Sequence, residues 1–103
     1  MKKDRMSVLK VMLSLLLLFA AWSAKAQYDI DQFFFRGQRA MMDGHYTQAI
    51  NNFNIIIRLD PSLHEAYFFR GIAKYNLGDF AGAESDFDQA LALNPVYTLA
   101  YHY

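Results

Sequence analysis

The sequence predicts an all-α protein built from antiparallel helix pairs, with two full pairs and the start of a third. Blocks of sequence recur at a constant offset, so that Phe34-Phe35-Arg36-Gly37 returns as Phe68-Phe69-Arg70-Gly71. Within each block, apolar residues recur three, four, seven or eight positions apart, which is the spacing of one helix face. A glycine and a proline also return at fixed places, where helices commonly end.

The N-terminal segment 1–26 is set apart from this repeat. Four basic residues lie among the first ten, an apolar stretch follows, and Ala24-Lys25-Ala26 places small residues where a signal peptidase cleaves. The alternative is a retained membrane anchor, but the uncharged stretch extends only over 11–24, whereas a spanning helix needs about 20 residues. We therefore expect a secretory signal peptide at 1–26, export to a bacterial periplasm or cell envelope, and no membrane span after cleavage.

The remainder of the chain, 27–103, carries five basic and nine acidic side chains, a net charge of −4. Nucleic acids and anionic membranes attract basic surfaces, so we expect neither as a partner. The chain has no cysteine, which excludes disulfides and cysteine-ligated metals. Its three histidines show no metal-binding spacing, and no nucleophile or phosphate-loop motif is present. We expect no enzyme activity, no cofactor and no metal, and we expect Glu84, Asp86 and Asp88 to form a solvated surface.

The elements follow in order along the repeat. We expect helices at about 30–43, 47–59, 63–76, 80–92 and from 97 onward. The domain 27–103 then divides into repeats at 30–63 and 64–97 and an incomplete third repeat at 98–103. The first helix of each repeat is apolar nearly all round, as expected for a helix between two neighbours, whereas the second has one apolar stripe.

The residues between helices agree with these boundaries. Gly44 and Gly78 stand where a helix C-terminus favours a residue that tolerates positive φ. Pro61 and Pro95 follow the second helix of each repeat, and proline disfavours helical geometry in the residue before it. Each interruption therefore occurs in both repeats.

Two glycines lie inside the first helices, where glycine is less favourable than alanine by about 1 kcal/mol. We expect them to permit close helix contact, facing a small residue of the second helix with a phenylalanine one turn along. Replacement by leucine is then expected to disrupt packing. The structural positions of the repeat are Gly37, Ala49, Phe53 and Pro61 in the first unit and Gly71, Ala83, Phe87 and Pro95 in the second.

The two units read Phe33-x2-Arg36-Gly37-x2-Ala40, Ala49-x3-Phe53, Pro61 and Tyr67-x2-Arg70-Gly71-x2-Lys74, Ala83-x3-Phe87, Pro95. Over about 30–103, this pattern resembles the tetratricopeptide repeat. Two departures are visible. Arginine replaces the family's leucine, and Ala40 and Lys74 replace its second aromatic residue. We expect these arginines at a helix seam, each paired with an acid, with Asp86 as the partner of Arg70.

The resemblance implies a right-handed superhelix whose concave face binds a protein or peptide through the first helix of each pair. Carried onto this sequence, the groove residues are Asp31, Phe34, Gln38, Met41, Met42, Glu65, Phe68, Ile72, Tyr75 and Asn76. The alternative is that some of these aromatics are buried against adjacent helices. The carboxylate clamp of chaperone-binding members is not expected, since its lysine, asparagine and arginine positions match Phe34, Gln38, Phe69, Leu99 and Tyr103.

Two functions are compatible with these features. The first is an exported scaffold or adaptor with an apolar and aromatic groove. The second is the N-terminal recognition part of a longer envelope enzyme or sensor that continues beyond Tyr103. Repeat proteins bury their cores by stacking, so we also expect the outer face of the second pair to be uncovered, which permits self-association through that end.

Overall fold

The computed structural model describes residues 2–96, and this part of the chain is helical without any strand. Its helices are α1 (Lys2–Met42), α2 (Tyr46–Leu59), α3 (His64–Asn76) and α4 (Phe80–Leu93). The all-α prediction is confirmed, and α2, α3 and α4 agree with the expected bounds to within one residue. The predicted helix from 97 onward and the incomplete third repeat lie outside the described residues.

Helix α1 differs from the prediction because it begins at Lys2 rather than near residue 30. No glycine or proline interrupts residues 2–36, and the stretch is rich in leucine, alanine and methionine, which favour helix. With 41 residues the helix is about 60 Å long. Its N-terminal half is exposed, and by length and composition alone it is able to cross a membrane, a test that signal sequences also pass.

The turns within the two pairs are the same. After α1, the Gly44 N–H donates to the Met41 carbonyl at 3.1 Å and the His45 N–H to the Ala40 carbonyl at 2.8 Å. The corresponding bonds after α3 are 3.0 and 2.9 Å. The glycines have φ of 76° and 85°, so each pair is closed by a Schellman turn. The expected positive φ at Gly44 and Gly78 is confirmed.

The second helices also end alike. Asp60 and Asn94 adopt extended geometry with φ of −145° and −142°. Each side chain then accepts a backbone N–H two residues on, from Ser62 at 3.1 Å and from Val96 at 3.2 Å. Such Asx turns redirect the chain after a helix. The proline between them cannot donate a backbone hydrogen bond, so the helix does not continue.

Short loops make consecutive helices antiparallel neighbours. Helix α1 packs on α2, α2 on α3 and α3 on α4, while α1 also touches α3. Phe53 and Ile56 of α2 are the largest fully buried side chains in the described part. They meet Ile30 and Ala40 of α1 and Ala66 and Ala73 of α3 in one apolar core. The core of the first pair is thus closed by the second pair.

The helical glycines lie against phenylalanine rings. A Cβ placed on Gly37 would be 2.7 Å from Phe53 Cε1, and one on Gly71 would be 2.7 Å from Phe87 Cε1. The expectation that each glycine faces an alanine, with the phenylalanine one turn along, is therefore wrong in detail. The phenylalanine edge itself occupies the space that a side chain would need.

Candidate functional site

The candidate site is the surface formed by α1 and α3, which contact each other. In the first unit, Asp31, Gln38 and Met42 are exposed, with Met42 87% exposed. Phe34 and Met41 are partly buried and pack against the core. The predicted residues of α1 therefore divide into three that are open to a ligand and two that mainly support the fold.

The second unit repeats part of this arrangement. Tyr75 and Asn76 are exposed, whereas Glu65, Phe68 and Ile72 are partly buried. The Tyr75 ring lies edge-on against Phe80 of α4, with centroids 5.1 Å apart. Because Tyr75 is 59% exposed, most of its surface remains available for contact.

Aromatic rings connect the two units below this surface. Phe34 of α1 lies 5.8 Å from Phe53 and 5.9 Å from Phe69, both in edge-on geometry. Phe69 also stacks on Phe53 at 6.0 Å, and Phe68 meets Phe69 at 5.7 Å and Phe87 at 5.8 Å. Such ring pairs stabilise packing beyond the area that they bury. Neighbouring helices consequently cover much of the surface of Phe34 and Phe68.

Two surface hollows involve residues predicted for the groove. The first, about 390 Å³, is lined by Gln38 and Met42 together with Phe35, Arg39 and Asp43. The second, about 340 Å³, places Tyr75 beside residues of α4; these are Phe80, Ala83, Glu84, Phe87, Asp88 and Leu91. Neither hollow joins the two units. The sequence analysis did not include Phe35 and Phe80 among the groove residues. Their equivalents in the other repeat are Phe69 for Phe35 and Tyr46 for Phe80, and both of these rings are partly buried.

A buried ionic network crosses the second pair. Arg70 forms a bidentate pair with Asp86 at 2.9 and 2.6 Å, and Lys74 Nζ lies 3.1 Å from the same carboxylate. Arg70 also donates to Asn54 Oδ1 of the first pair at 2.9 Å. The predicted Arg70–Asp86 pair is confirmed.

Two related expectations are wrong. Asp86 is 3% exposed and does not share the solvated surface of Glu84 and Asp88, because its side chain points to the α3–α4 seam. Arg36 has no acid partner among residues 2–96, since Asn52 stands where the second unit has Asp86. Its guanidinium instead lies 5.5 Å from the centre of the Phe33 ring.

The side chains that could bind a metal are dispersed. Among the described residues, no group of three or more histidines and acids comes together. His64 approaches Glu65 at 3.3 Å and Asn94 at 3.2 Å, which connects the beginning of the second unit to its end. The chemistry of this surface is therefore that of apolar contact, hydrogen bonding and isolated charge.

Comparison with known proteins supports this description. Residues 64–95 match the sequence profile of the tetratricopeptide repeat. The chain is 31% identical over 64 residues to the tetratricopeptide repeat and J domain-containing co-chaperone DNJ1 of Cryptococcus neoformans var. grubii, covering 62% of this chain and 12% of that protein. It is 38% identical over 50 residues to a protein SGT1 homolog of Oryza sativa subsp. japonica, covering 48% and 14%. The chain thus spans a small part of these relatives.

The fold, the repeat and the comparisons together define the class of protein. The described chain is an all-α protein of tetratricopeptide-like helix pairs, and its second unit matches the repeat itself. Repeats of this class generally serve as protein-interaction scaffolds without enzymatic activity of their own. The match therefore supports a role of the second unit in protein interaction.

Proposed function

We propose that this chain is an exported adaptor or scaffold that binds a protein segment on the surface of α1 and α3. The observation that carries the proposal is the exposure of Gln38, Met42, Tyr75 and Asn76 on the first helices of two tetratricopeptide-like pairs. Exposed side chains on adjacent helices can bind an extended or helical segment of a partner protein at several points at once.

The chemistry of the surface favours a particular class of ligand. Met42 and Tyr75 offer apolar area, and methionine adapts its shape to different partners. Asp31 and Glu65 add negative charge, and Asp31 already accepts a hydrogen bond from Gln27 at 3.0 Å. The proposed ligand is therefore a peptide segment that carries apolar side chains and some positive charge.

Export is the second part of the proposal. The basic N-terminus, the exposed apolar half of α1 and the Ala24-Lys25-Ala26 sequence support it. The test is the N-terminal sequence and the intact mass of the protein isolated from its native cells. Processing after Ala26 leaves Gln27 as the first residue, and replacement of Ala26 by arginine should block it. An unprocessed N-terminus in the wild-type chain refutes this part.

Binding is tested by photocrosslinking of the full chain in its native cells. A benzophenone amino acid is placed at Gln38 or Asn76 on the proposed binding surface. Matched control positions are Asn51 of α2 and Gln89 of α4, which are also exposed. We expect Gln38 and Asn76 to yield the same defined protein adduct and the control positions to yield little of it.

Equal adducts from all four positions would refute a dedicated surface on α1 and α3. Adducts from the α2 and α4 positions alone would place binding on the second helices instead. A competing peptide with apolar and basic residues should reduce the specific adduct, whereas an acidic peptide of the same length should leave it unchanged. This pair of peptides tests the proposed ligand chemistry independently of the partner's identity.

A second candidate function is recognition within a longer envelope enzyme or sensor. The matched relatives favour it, because the aligned segments cover only 12% and 14% of their lengths. In this case the same α1–α3 surface selects the partner, and a separate region of the protein performs the reaction or transmits the signal. The intact mass of the native protein distinguishes the two candidates: a mass well above that of 27–103 supports the longer protein.

A further inference from the structure

Helix α1 carries an exposed stripe in the part that belongs to the first repeat. Tyr28 and Phe35 are each 62% exposed and Met42 is 87% exposed, and each of these apolar residues stands seven positions from the next. Asp31 and Arg39, also exposed, lie four positions on either side of Phe35. At 3.6 residues per turn, the five side chains share one face of the helix. We call this face the α1 stripe.

The α1 stripe differs from its equivalent in the second unit. There, Phe69 and Ala73 stand where the stripe has Phe35 and Arg39, and both pack into the core between the two pairs. A further repeat stacked on α1 in the same way would bury the Arg39 charge at a position that is apolar inside the molecule, which is costly. The stripe therefore favours a surface that covers its rings and also supplies an acid.

The α1 stripe is complementary to itself when two copies of α1 run antiparallel. If the two Phe35 rings face each other, positions at equal distances on either side of them meet. Tyr28 of one copy then faces Met42 of the other, and Asp31 faces Arg39, with each contact made twice. In a parallel arrangement each residue faces its own equivalent, which brings like charges together. The electrostatic energy therefore favours the antiparallel orientation.

The same geometry connects the contact to removal of residues 1–26. Two antiparallel α1 helices project their N-terminal stretches in opposite directions, so the two stretches could not enter one membrane from the same side. After cleavage behind Ala26, the new α-amino group of Gln27 faces the exposed Asp43 of the other copy, at the edge of the stripe. This adds a further pair of opposite charges. The contact therefore belongs to the processed chain and rests on the proposed export.

We propose that the processed chain forms a symmetric dimer through the α1 stripe, with the two α1 helices antiparallel and the Phe35 rings at the twofold axis. The interface uses the same surface of both copies, so the assembly closes at two. A contact of about four helical turns is small for a protein interface, so the association is reversible. Because Met42 also belongs to the proposed ligand-binding surface, a second copy and a ligand compete for it.

The chain contains no cysteine, so introduced cysteines report the orientation. Full chains carrying Y28C or M42C, one of them with an affinity tag, are expressed together in the native cells and treated with a short, membrane-permeant bismaleimide. We expect a dimer with one chain of each kind. Either variant alone should give little dimer, because the two copies of one position lie about 21 Å apart along the helix axis. In the matched control, Q89C of α4 replaces M42C and should give none, since α4 does not contact α1 within residues 2–96.

The intact mass of the crosslinked chains reports processing and contact separately. A processed chain without the mixed dimer overturns this proposal and leaves export unaffected. An unprocessed chain refutes export and this contact with it. Dimers from Y28C alone at the yield of the mixed pair would indicate parallel helices. Adducts of Y28C with a different protein in place of the mixed dimer would assign the stripe to another partner. Either of these last two results also overturns the proposal.

Charge reversal provides a second measurement, made by sedimentation velocity on processed protein isolated from the native cells. D31R and R39D each replace two attractive charge pairs with repulsive ones, so each should weaken self-association by about 2- to 30-fold. A mixture of the two variants should associate as the wild type does, because each supplies the charge that the other lacks. E84R on exposed α4 surface is the matched control and should have no effect. Equal self-association of the wild type, D31R and R39D would overturn the proposal.

Discussion

Alanine substitution at the two helical glycines can be compared directly, because their surroundings differ in one respect. Gly37 lies against a phenylalanine ring inside the core, whereas Gly71 lies against a ring at the edge of a surface hollow. Phe53 next to Gly37 is fully buried and is held by Phe34 and Phe69. Phe87 next to Gly71 is partly exposed and lines the hollow on α4. An added methyl group would meet either ring at 2.7 Å. The ring of Phe53 is fully enclosed, whereas the ring of Phe87 lies at the edge of a hollow.

The magnitudes follow from two opposing effects. Alanine favours a helix over glycine by about 1 kcal/mol, and overpacking a filled core costs about 1–3 kcal/mol. Gly37→Ala should therefore destabilise the chain by about 1 kcal/mol net, which lowers Tm by about 4–8 °C for a domain of this size. Gly71→Ala should cost less than Gly37→Ala, because Phe87 lies at a hollow and not inside the core, with Asp86 Cβ at 3.2 Å as the next close neighbour.

The assay is urea unfolding followed by near-ultraviolet circular dichroism, which reports the packing of the aromatic rings and is less affected by the N-terminal half of α1. Gly37→Leu and Gly71→Leu serve as positive controls, and both should lose the aromatic signal. Equal losses of stability for the two alanine variants, or a larger loss for Gly71→Ala, would refute the argument that enclosure of the ring sets the cost.

Three further predictions concern the ionic network, the helix caps and the ligand. Asp86→Asn should destabilise the chain by about 3 kcal/mol because it leaves Arg70 and Lys74 without their carboxylate, while Asp88→Asn should stay within about 0.5 kcal/mol in the same urea unfolding. Asp79 caps α4 by accepting the Gly82 N–H at 3.0 Å, whereas His45 at the equivalent position of α2 makes no such bond. His45→Asp should therefore raise the free energy of unfolding by about 1 kcal/mol, and Asp79→Ala should lower it by a similar amount. Thermal unfolding measures both changes. A peptide ending in a free carboxylate flanked by acids should not bind in a fluorescence anisotropy titration, and saturable binding would contradict the absence of a carboxylate clamp.

The helix boundaries were predictable because local chemistry sets them. Gly44 and Gly78 end the first helices through positive φ, and Asp60 and Asn94 end the second through Asx turns. The repeat makes each signal appear twice, which distinguishes it from chance. The start of α1 was not predictable in this way, since no breaking residue separates the apolar N-terminal stretch from the first repeat.

The exposed surface was harder to predict, because a residue can be exposed in one repeat while its equivalent in the other repeat is buried. Phe35 and Phe69 have the same surroundings in sequence, yet Phe69 packs on the preceding pair and Phe35 has no preceding pair among residues 2–96. Asp86 presents the same difficulty: its spacing from Asp88 suggested solvent, while its burial depends on two cations of α3. Neighbouring helices, rather than local pattern, decide these cases.

The unbroken course of α1 has a consequence for the proposed processing step. Asp29 and Asp31 lie in the interior of a 41-residue helix, where the dipoles of the flanking turns largely cancel. Cleavage after Ala26 would place Asp29 in the first turn of a new helix that starts near Gln27, and Asp31 in the second turn. An acid in the first turn stabilises a helix by about 0.3–1 kcal/mol through its positive end, and the effect falls off beyond that turn. Removal of the leader would thus itself stabilise the remaining helix, chiefly through Asp29.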